Sequence, residues 1–254
     1  MTKKWFHIGT MGWSYDFWVG NFYPPDTQPQ DFLVEYSKHF STVEIDSTFY
    51  RIPYERTVKK WRDQTPQDFL FSVKFPQRIT HEKMLRASKD DLEFFIKNIS
   101  FLGSKLGPLL LQFPYSFKAD EFDVLKDFIS ILPSGKRGHR YVVEVKHKSW
   151  MEEKFYAMLR ENNVALASTD FPWMLELNEI TADFTYLRWE GNRKKIKGTT
   201  GKVELEKETE ILEWSERIKD LIGNSIEVFG YFSKYYSGHS PTDAKLLLSR
   251  LSNF

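Results

Sequence analysis

The stretch YVVEVKHKSW, residues 141–150, has the composition of a buried strand and yet carries two charges. Its three valines supply the β-branched bulk that suits a pleated, packed surface. Glu144 and Lys146 lie two residues apart, so in a strand they share one face. Burying an unpaired ion costs several kcal/mol. The charged face of this strand is therefore expected to meet a polar interior, while the valine face packs against helices.

Seven further short runs have a similar strand-like pattern. Segments whose apolar residues recur at helical spacing lie between most of them. The eight runs span residues 6–11, 42–47, 69–75, 108–113, 141–146, 164–170, 184–189 and 227–233. Apolar residues recur at helical spacing between them, most clearly over 92–102, 122–132, 155–159, 211–222 and 244–251. Ser149 and Glu152 fit a capping box for the helix after the fifth strand. Only the helix after the sixth strand is weakly indicated, because residues 171–183 are few and include Pro172.

Alternating strands and helices indicate an α/β protein with a parallel sheet. Eight repeats in 254 residues match the size of a closed (β/α)₈ barrel. No linker or low-complexity segment divides the chain. The sequence thus predicts a single TIM-barrel domain over residues 1–254.

Composition excludes several classes of protein. The chain has no cysteine, so disulfides, thiolate nucleophiles and cysteine metal sites are absent. Its 36 basic and 35 acidic residues give a formal charge of +1, which does not indicate an extended nucleic-acid surface. No apolar run approaches the roughly 20 residues of a membrane helix, and no signal peptide is expected. A cytoplasmic protein without membrane contact is the expectation, with the oligomeric state left open.

Side-chain alternation predicts which residues face the barrel interior. In the second strand, for example, Val43 and Ile45 oppose Glu44 and Asp46. The same count brings seven charged side chains to one cavity, most of them late in their strands, where barrel enzymes place their sites. They are Glu44, Asp46, Lys74, Glu144, Lys146, Asp170 and Arg188, and the count adds the polar residues Thr10, Gln112, Ser168 and Ser233.

Such charges must pair, remain hydrated or meet a ligand. Neighbouring strands suggest that Lys74 pairs with Glu44 or Asp46, and that Asp170 lies between Lys146 and Arg188. One alternative is that these charges form ion pairs that only fill the barrel interior and have no function. We favour a functional cavity, because the charges are dense and lie at the strand ends.

The residue types in this cavity predict an anion site with acid–base chemistry. Lys74, Lys146 and Arg188, with Gln112, could bind a phosphate or carboxylate group. The four carboxylates of Glu44, Asp46, Glu144 and Asp170 are the candidate catalytic acids and bases. Schiff-base formation by a lysine is the less favoured alternative. If the protein is an enzyme, a hydrolase or isomerase acting on a phosphate-containing substrate fits best.

The loops at this end of the barrel add candidate ligand contacts. Aromatic rings could stack on a sugar or base, although any single ring is more often packed under a loop. The segment GNRKKIKGTTGK, residues 191–202, could contact a phosphate backbone, but such a run is more often a mobile, solvated loop. The candidate loop residues for ligand binding are Trp13, Tyr15, Tyr50, His81 and His239.

The sequence carries no recognised cofactor motif. It lacks a P-loop, a G-x-G-x-x-G fingerprint and a G-x-S-x-G nucleophile elbow. No histidine pair has zinc-site spacing, so no cofactor is predicted. The acidic residues could nevertheless hold a divalent metal such as magnesium with several waters.

Distinctive stretches occur in order along nearly the whole chain: GTMGWSYDFW (9–18), FYPP (22–25), TVEIDSTFYRIP (42–53), FLFSVKFPQRITH (69–81), LGPLLLQFPYSF (106–117), VEVKHKSW (143–150), Arg188 with Gly191, and GHSPTDA (238–244). Together they resemble the YecE-like family, which implies a TIM-barrel fold and no agreed activity. The likeness of that barrel to apurinic endonuclease-like and sugar isomerase-like barrels implies nucleic-acid or sugar-phosphate ligands. This chain departs from the family pattern, with Asp46 in place of asparagine, Lys146 in place of arginine and Glu190 in place of histidine.

Three functions remain open from the sequence. The first is an enzyme whose cavity binds a phosphorylated sugar or another small, nucleotide-like anion. The second is a nucleic-acid binding protein or endonuclease, suggested by the aromatic loops and the basic segment. The third is a barrel without chemistry that serves as a scaffold.

Overall fold

A computed structural model describes residues 5–133, 138–170 and 179–252. Its eight strands are all parallel and follow one another around a nearly closed barrel, so the predicted (β/α)₈ fold is confirmed. The strands are β1 (Phe6–Thr10), β2 (Thr42–Ile45), β3 (Leu70–Lys74), β4 (Leu106–Gln112), β5 (Tyr141–Glu144), β6 (Ala165–Thr169), β7 (Phe184–Trp189) and β8 (Glu227–Phe232).

Helices connect the strands on the outside of the barrel. They are α1 (Phe32–Ser37), α2 (Ser47–Tyr50), α3 (Glu55–Asp63), α4 (Lys89–Ile99), α5 (Phe122–Ser130), α6 (Glu153–Glu161), α7 (Glu208–Gly223) and α8 (Ser240–Leu251). The segment expected to hold the helix after β6 falls largely on residues 171–178, outside the described part. No described helix has the length and apolar character needed to cross a bilayer.

The predicted capping box at the start of α6 is wrong. Ser149 lies in a short 3₁₀ turn, and its hydroxyl accepts a hydrogen bond from the Ala119 amide at 3.0 Å. Glu152 is itself the residue that precedes the helix. The turn after β5 therefore uses the serine to join two loops, and α6 begins without a side-chain cap.

Residues of opposite parity on each strand form two separate apolar layers. The outward layer is large and packs against the helices, with Val43 and Val143 among its members. The inward layer is smaller and includes Leu110, Val142 and Ala167. This division follows from the period-2 alternation of strands and confirms the sequence assignment for most of them.

Strands β1 and β6 depart from the predicted alternation. Ala165 and Ala167 face the crowded barrel axis while Leu166 faces the helices, so Ser168 also faces outward. It lines a peripheral cavity beside Trp214 and not the barrel interior. In β1, Thr10 hydrogen-bonds the hydroxyl of Tyr36, a residue of the outer layer, at 3.0 Å. The sequence assignment of Ser168 and Thr10 to the interior is therefore wrong.

The barrel closes between β1 and β2 through one bridge and one tyrosine. Met11 pairs with Glu44, and the Tyr36 hydroxyl bonds both the Thr10 amide and the Thr42 carbonyl. Gly9 permits this approach, because a Cβ atom there would lie 2.3 Å from the Thr42 carbonyl oxygen. The first two strands are thus drawn together beside the position of Glu44.

The barrel axis is filled in layers from its N-terminal end. At that end Glu227 binds Arg140 through two hydrogen bonds of 3.1 and 2.9 Å and also contacts His7. Above this layer the Tyr231 hydroxyl joins Thr42 at 2.8 Å and Ser72 at 2.7 Å. These layers close the barrel from below, so the charged upper layer opens only toward the C-terminal face.

Candidate functional site

A cavity of about 960 Å³ opens at the C-terminal ends of the strands. Among the described residues that line it, seven are basic and three are acidic. The basic ones are Lys74, Lys146, Arg188, Arg193, Lys194, Lys195 and Lys207, and the acidic ones are Asp46, Asp170 and Glu190. Phe49, Tyr50, Gln112, Leu205 and Tyr236 add aromatic, amide and apolar surface. A basic lining at this end of a barrel is suited to anionic ligands.

Arg188 forms the floor of the cavity and is held by three carboxylates. Its guanidinium binds Glu44 in a bidentate manner, with contacts of 3.0 and 2.8 Å. Its Nη1 donates to Glu144 at 2.6 Å and to Glu190 at 2.5 Å. The planar fork of arginine suits this arrangement, which a lysine could not reproduce.

Two neighbouring side chains add hydrogen bonds to the cluster formed by Arg188 and its three carboxylates. Gln112 donates to Glu144 at 2.7 Å, and the Tyr186 hydroxyl donates to Glu44 at 2.6 Å. Glu44 and Glu144 are fully buried. Their carboxylates therefore lie below Arg188 and not on the surface that a ligand would meet.

The pKa values of the cluster follow from burial and pairing. Burial opposes the charged form of Arg188, but Glu144, Glu44 and Glu190 outweigh burial and hold its pKa well above the usual range. Burial raises the pKa of Glu44, with the attraction of Arg188 opposing this effect. The cluster thus acts as an ion-pair floor, and Arg188 has little charge left for a ligand. The predicted direct roles of Glu44, Glu144 and Arg188 have no support in this geometry, although Gln112 and Arg188 still line the cavity.

Lys74 and Asp46 lie together on one side of the cavity, as the neighbouring strands suggested. Their Nζ and Oδ1 atoms are 3.8 Å apart, and Asp46 Oδ1 is 3.9 Å from Arg188. That oxygen accepts no hydrogen bond from any described residue. Lys74 also lies over the ring of Phe49 at 4.3 Å. Asp46 is thus a partly exposed carboxylate whose buried Oδ1 lies between two cations.

Lys146 contributes a positive charge to the cavity without a partner among the described residues. It is half-buried and forms no hydrogen bond or ion pair within the described ranges. Its field reaches other groups. Burial raises the pKa of Glu190, but Arg188, Lys146, Arg193 and Lys74 together lower it to about 2. Burial, with Lys74 and Lys146, lowers the pKa of His81 to about 4.

Asp170 is held in a different way from the predicted one. Its two carboxylate oxygens accept hydrogen bonds from the backbone amides of Glu190 at 3.0 Å and Gly191 at 2.8 Å. It forms no ion pair with Lys146 or Arg188, so that predicted pairing is wrong. Burial raises its pKa, and the two amide hydrogen bonds oppose this rise. The carboxylate therefore fixes the start of the loop that follows β7 and still lines the cavity.

The basic segment 191–202 forms one wall of the cavity with an anchored backbone. A Cβ atom at Gly191 would lie 2.0 Å from the Tyr235 carbonyl oxygen, and one at Gly201 would lie 2.1 Å from that of Phe17. Glu204 accepts hydrogen bonds from the amides of Lys197 and Gly198 at 2.8 and 2.9 Å. The expectation of a loosely held, solvated loop does not fit this packing, although its basic side chains are exposed.

Four of the predicted loop residues do not line the cavity. Trp13 packs edge-on against Trp61 in the outer layer, and the Tyr15 hydroxyl donates to the Met11 carbonyl at 2.8 Å. His239 contacts Thr242 at 2.7 Å near the start of α8, away from the cavity lining. His81 lies behind Phe49, with 4.9 Å between the ring centroids. Of the five predicted loop residues, Tyr50 is the one that lines the cavity.

Sequence reasoning missed several lining residues. Glu190 follows Arg188 by two positions, so period-2 alternation extended past the strand end could have placed it beside Arg188. Phe49 lies in the four-residue helix α2, and Leu205, Lys207 and Tyr236 lie in loops, where no such periodicity exists. Within the described ranges, no group of three His, Asp or Glu side chains is arranged to bind a metal ion.

The fold and the site together define a (β/α)₈ barrel protein with a basic cavity, above a buried arginine–carboxylate floor, at the C-terminal face. The family model described as "Protein of unknown function DUF72" matches residues 7–253. The chain therefore belongs to the DUF72 family, and the resemblance to YecE-like proteins is confirmed.

Named relatives come from two bacteria. UPF0759 protein YecE of Escherichia coli K12 is 36% identical over 141 residues, which cover 56% of this chain and 48% of YecE. The chain thus matches about half the length of YecE. UPF0759 protein YunF of Bacillus subtilis is 27% identical over an alignment of 274 residues that covers 96% of this chain and 94% of YunF.

Solved structures of the same family share the fold. A DUF72 family protein of Thermotoga maritima has a TM-score of 0.76 and 26% identity, covering 99% of this chain and all of that chain. One of Enterococcus faecalis has a TM-score of 0.75 at 19% identity, covering 97% and 95% of the two chains. The second likeness concerns the fold alone.

Proposed function

We propose that the cavity binds a small phosphate-bearing ligand, such as a phosphorylated sugar or a nucleotide, and that the protein acts on it by carboxylate acid–base chemistry. The observation that carries the proposal is Lys146, a cavity cation with no partner among the described residues. A half-buried ammonium group of this kind loses part of its hydration. Hydrogen bonds to an anionic ligand would compensate for that loss. The basic wall at Arg193, Lys194 and Lys195 supports the same ligand charge.

Two cavity carboxylates are suited to opposite proton-transfer roles. Asp170, whose pKa is raised by burial, is the candidate acid. Asp46 is the candidate base, because its side chain is 37% exposed at the cavity and its buried Oδ1 lacks a hydrogen-bond partner in the described structure. Lys74, 3.8 Å from Asp46, would stabilise negative charge that develops on the ligand. This arrangement fits an isomerase or a hydrolase acting on a phosphate-containing substrate.

A thermal-shift panel of phosphorylated sugars and nucleotides tests the binding half of the proposal. A ligand at 100 times its Kd adds about 2.7 kcal/mol of stability. For a chain of this size that corresponds to a rise in Tm of about 5–10 °C. Lys146→Ala should lose most of this rise. Lys97→Ala, an exposed lysine on α4, is the matched control and should keep it.

The catalytic half is tested with any ligand that the panel identifies. Wild-type protein should convert that ligand, whereas Asp46→Asn should bind it without conversion. Equal shifts for Lys146→Ala and wild type, or no shift with any anion, would contradict the anion site. In that case the scaffold interpretation would be the better one.

A further inference from the structure

Two large apolar side chains are exposed at the mouth of this charged cavity. Tyr50 is 74% exposed and Leu205 is 44% exposed, and both line the opening. Tyr50 follows the end of β2 on the short helix α2, while Leu205 lies in the segment after the basic wall. These two side chains offer apolar contact surface to the part of a ligand that extends out of the basic cavity.

The Tyr50 ring has the freedom and the support that a stacking platform needs. Its only described ring contact is an edge-to-face one with Phe49, at 5.2 Å between centroids. Phe49 is in turn fixed by Lys74 on its face and by His81 at its edge. One neighbour of Tyr50 is therefore rigid, and a face of its own ring remains open to solvent. Stacking of a base on such a ring contributes about 1–3 kcal/mol.

We infer that the ligand is a nucleotide unit, whose phosphate lies near Lys146 and whose base contacts Tyr50 and Leu205. This inference rests on the proposed function, because it places the phosphate in the same cavity. A phosphorylated sugar would occupy the basic cavity near Lys146 and leave the two apolar side chains exposed. A nucleotide covers them as well, and so removes apolar surface from water while its anion is bound.

A nucleotide unit could come from a free mononucleotide or from the 5′-phosphorylated end of a nucleic-acid strand. The basic side chains of Arg193, Lys194 and Lys195 extend along the rim and would meet the next phosphates of a strand. The formal charge of +1 is against an extended nucleic-acid surface. The recognised chemistry is the same in both cases, and the test separates the sources.

The test compares the Kd values of adenosine 5′-monophosphate and ribose 5-phosphate by calorimetry. Wild-type protein should bind the nucleotide about tenfold more tightly, which is the typical value of one stacked base. Tyr50→Ala should remove this difference, whereas Lys146→Ala should weaken both ligands about equally. Tyr115→Ala is the matched control, since Tyr115 is 64% exposed but does not line the cavity.

Oligonucleotides with and without a 5′-phosphate form the second arm. Tighter binding of the phosphorylated strand than of the mononucleotide would assign the site to strand ends, and equal binding would assign it to free nucleotides. Equal affinity of the two small ligands in wild type and Tyr50→Ala would overturn the inference and leave the proposed anion site standing. Failure of every phosphate-bearing probe to bind would overturn both.

Discussion

Arg188 stabilises the buried carboxylates in the upper layer of the barrel. Three carboxylates converge on its guanidinium, two of them fully buried, and each would be strongly disfavoured as an unpaired ion. Replacing a whole ion-pair cluster with apolar residues is often harmless, because attraction and desolvation nearly cancel. Removing only the central cation is different, since the carboxylates stay behind.

We therefore expect Arg188→Met to destabilise the protein by about 3–5 kcal/mol at neutral pH. Two buried carboxylates would then have to take up protons or draw water into the floor. Urea denaturation followed by tryptophan fluorescence measures the change. Arg188→Lys serves as the comparison, because it keeps the charge and loses the bidentate fork.

The free energy of unfolding of Arg188→Lys should lie between that of the wild type and that of Arg188→Met. A loss below about 1 kcal/mol for Arg188→Met would show that the cluster is hydrated or protonated and not held by this arginine. In that case the floor of the cavity would be accessible to a ligand, and Glu144 would return as a candidate catalytic residue.

The segment 191–202 positions its basic side chains through close backbone contacts. Gly191 has a φ of +69°, in the region that favours glycine, and also lies against the Tyr235 carbonyl. The segment is thus fixed at the place where Asp170 accepts the Gly191 amide. A rigid wall keeps Arg193 and its neighbours at the cavity and reduces the entropy lost when a ligand binds.

Gly191→Ala should therefore cost more stability than conformational strain alone predicts. Gly20→Ala is the control, because Gly20 also has a positive φ, of +81°, and nothing lies within 4 Å of the added Cβ. The control should cost about 1–2 kcal/mol from backbone strain. Gly191→Ala should cost about 1–3 kcal/mol more from overpacking. Equal thermal-denaturation losses for both variants would contradict an anchored loop.

The strands were predictable because periodicity and composition agree along each of them. All eight observed strands overlap the predicted runs, and Glu44, Lys74, Glu144 and Arg188 face inward as expected. The count failed at Ser168 because polarity was used to choose the inner face of β6. The limited space at the barrel axis determines which face of β6 points inward, because the small alanines lie at the axis and Leu166 packs in the outer layer.

The site was predictable only where strands carry it. Strand alternation brought Asp46, Lys74 and Lys146 to one cavity, but it could not show that Arg188 is already neutralised by three partners. Pairing depends on side-chain conformation and on residues from different strands. Loop residues such as Trp13 and His239 have no periodic signal, so their inward or outward direction is fixed by packing alone.

The stability of the whole barrel should depend on pH through groups outside the cavity. Asp243, near the start of α8, is buried and accepts a hydrogen bond from Ser237 at 2.7 Å. Burial raises its pKa to about 7; Glu206 adds to this rise, whereas Ser237 and Lys207 oppose it. The unfolded chain has an ordinary value near 3.8. Between these values the folded state keeps a proton that the unfolded state loses.

The stabilising effect of protonated Asp243 is thus complete below about pH 4 and is lost as pH rises to about 7. Its total size is on the order of 4 kcal/mol, at about 1.4 kcal/mol for each pH unit. His81 and His239 act in the opposite direction, because burial lowers the pKa of each to about 4. Their contribution is complete above about pH 6.5 and is lost as pH falls through 4.

Comparison with Asp243→Asn separates these opposing effects. The amide resembles the protonated carboxyl, so the variant should match wild type near pH 4 and be the more stable protein at pH 8. Urea midpoints measured at unit pH steps give the difference curve, to which the histidines contribute equally in both proteins. Asp90→Asn, at an exposed position on α4, is the control and should follow the wild-type profile. A constant difference between pH 4 and pH 8 would mean that Asp243 is ionised in the folded barrel throughout, with Lys207 supplying the compensating charge.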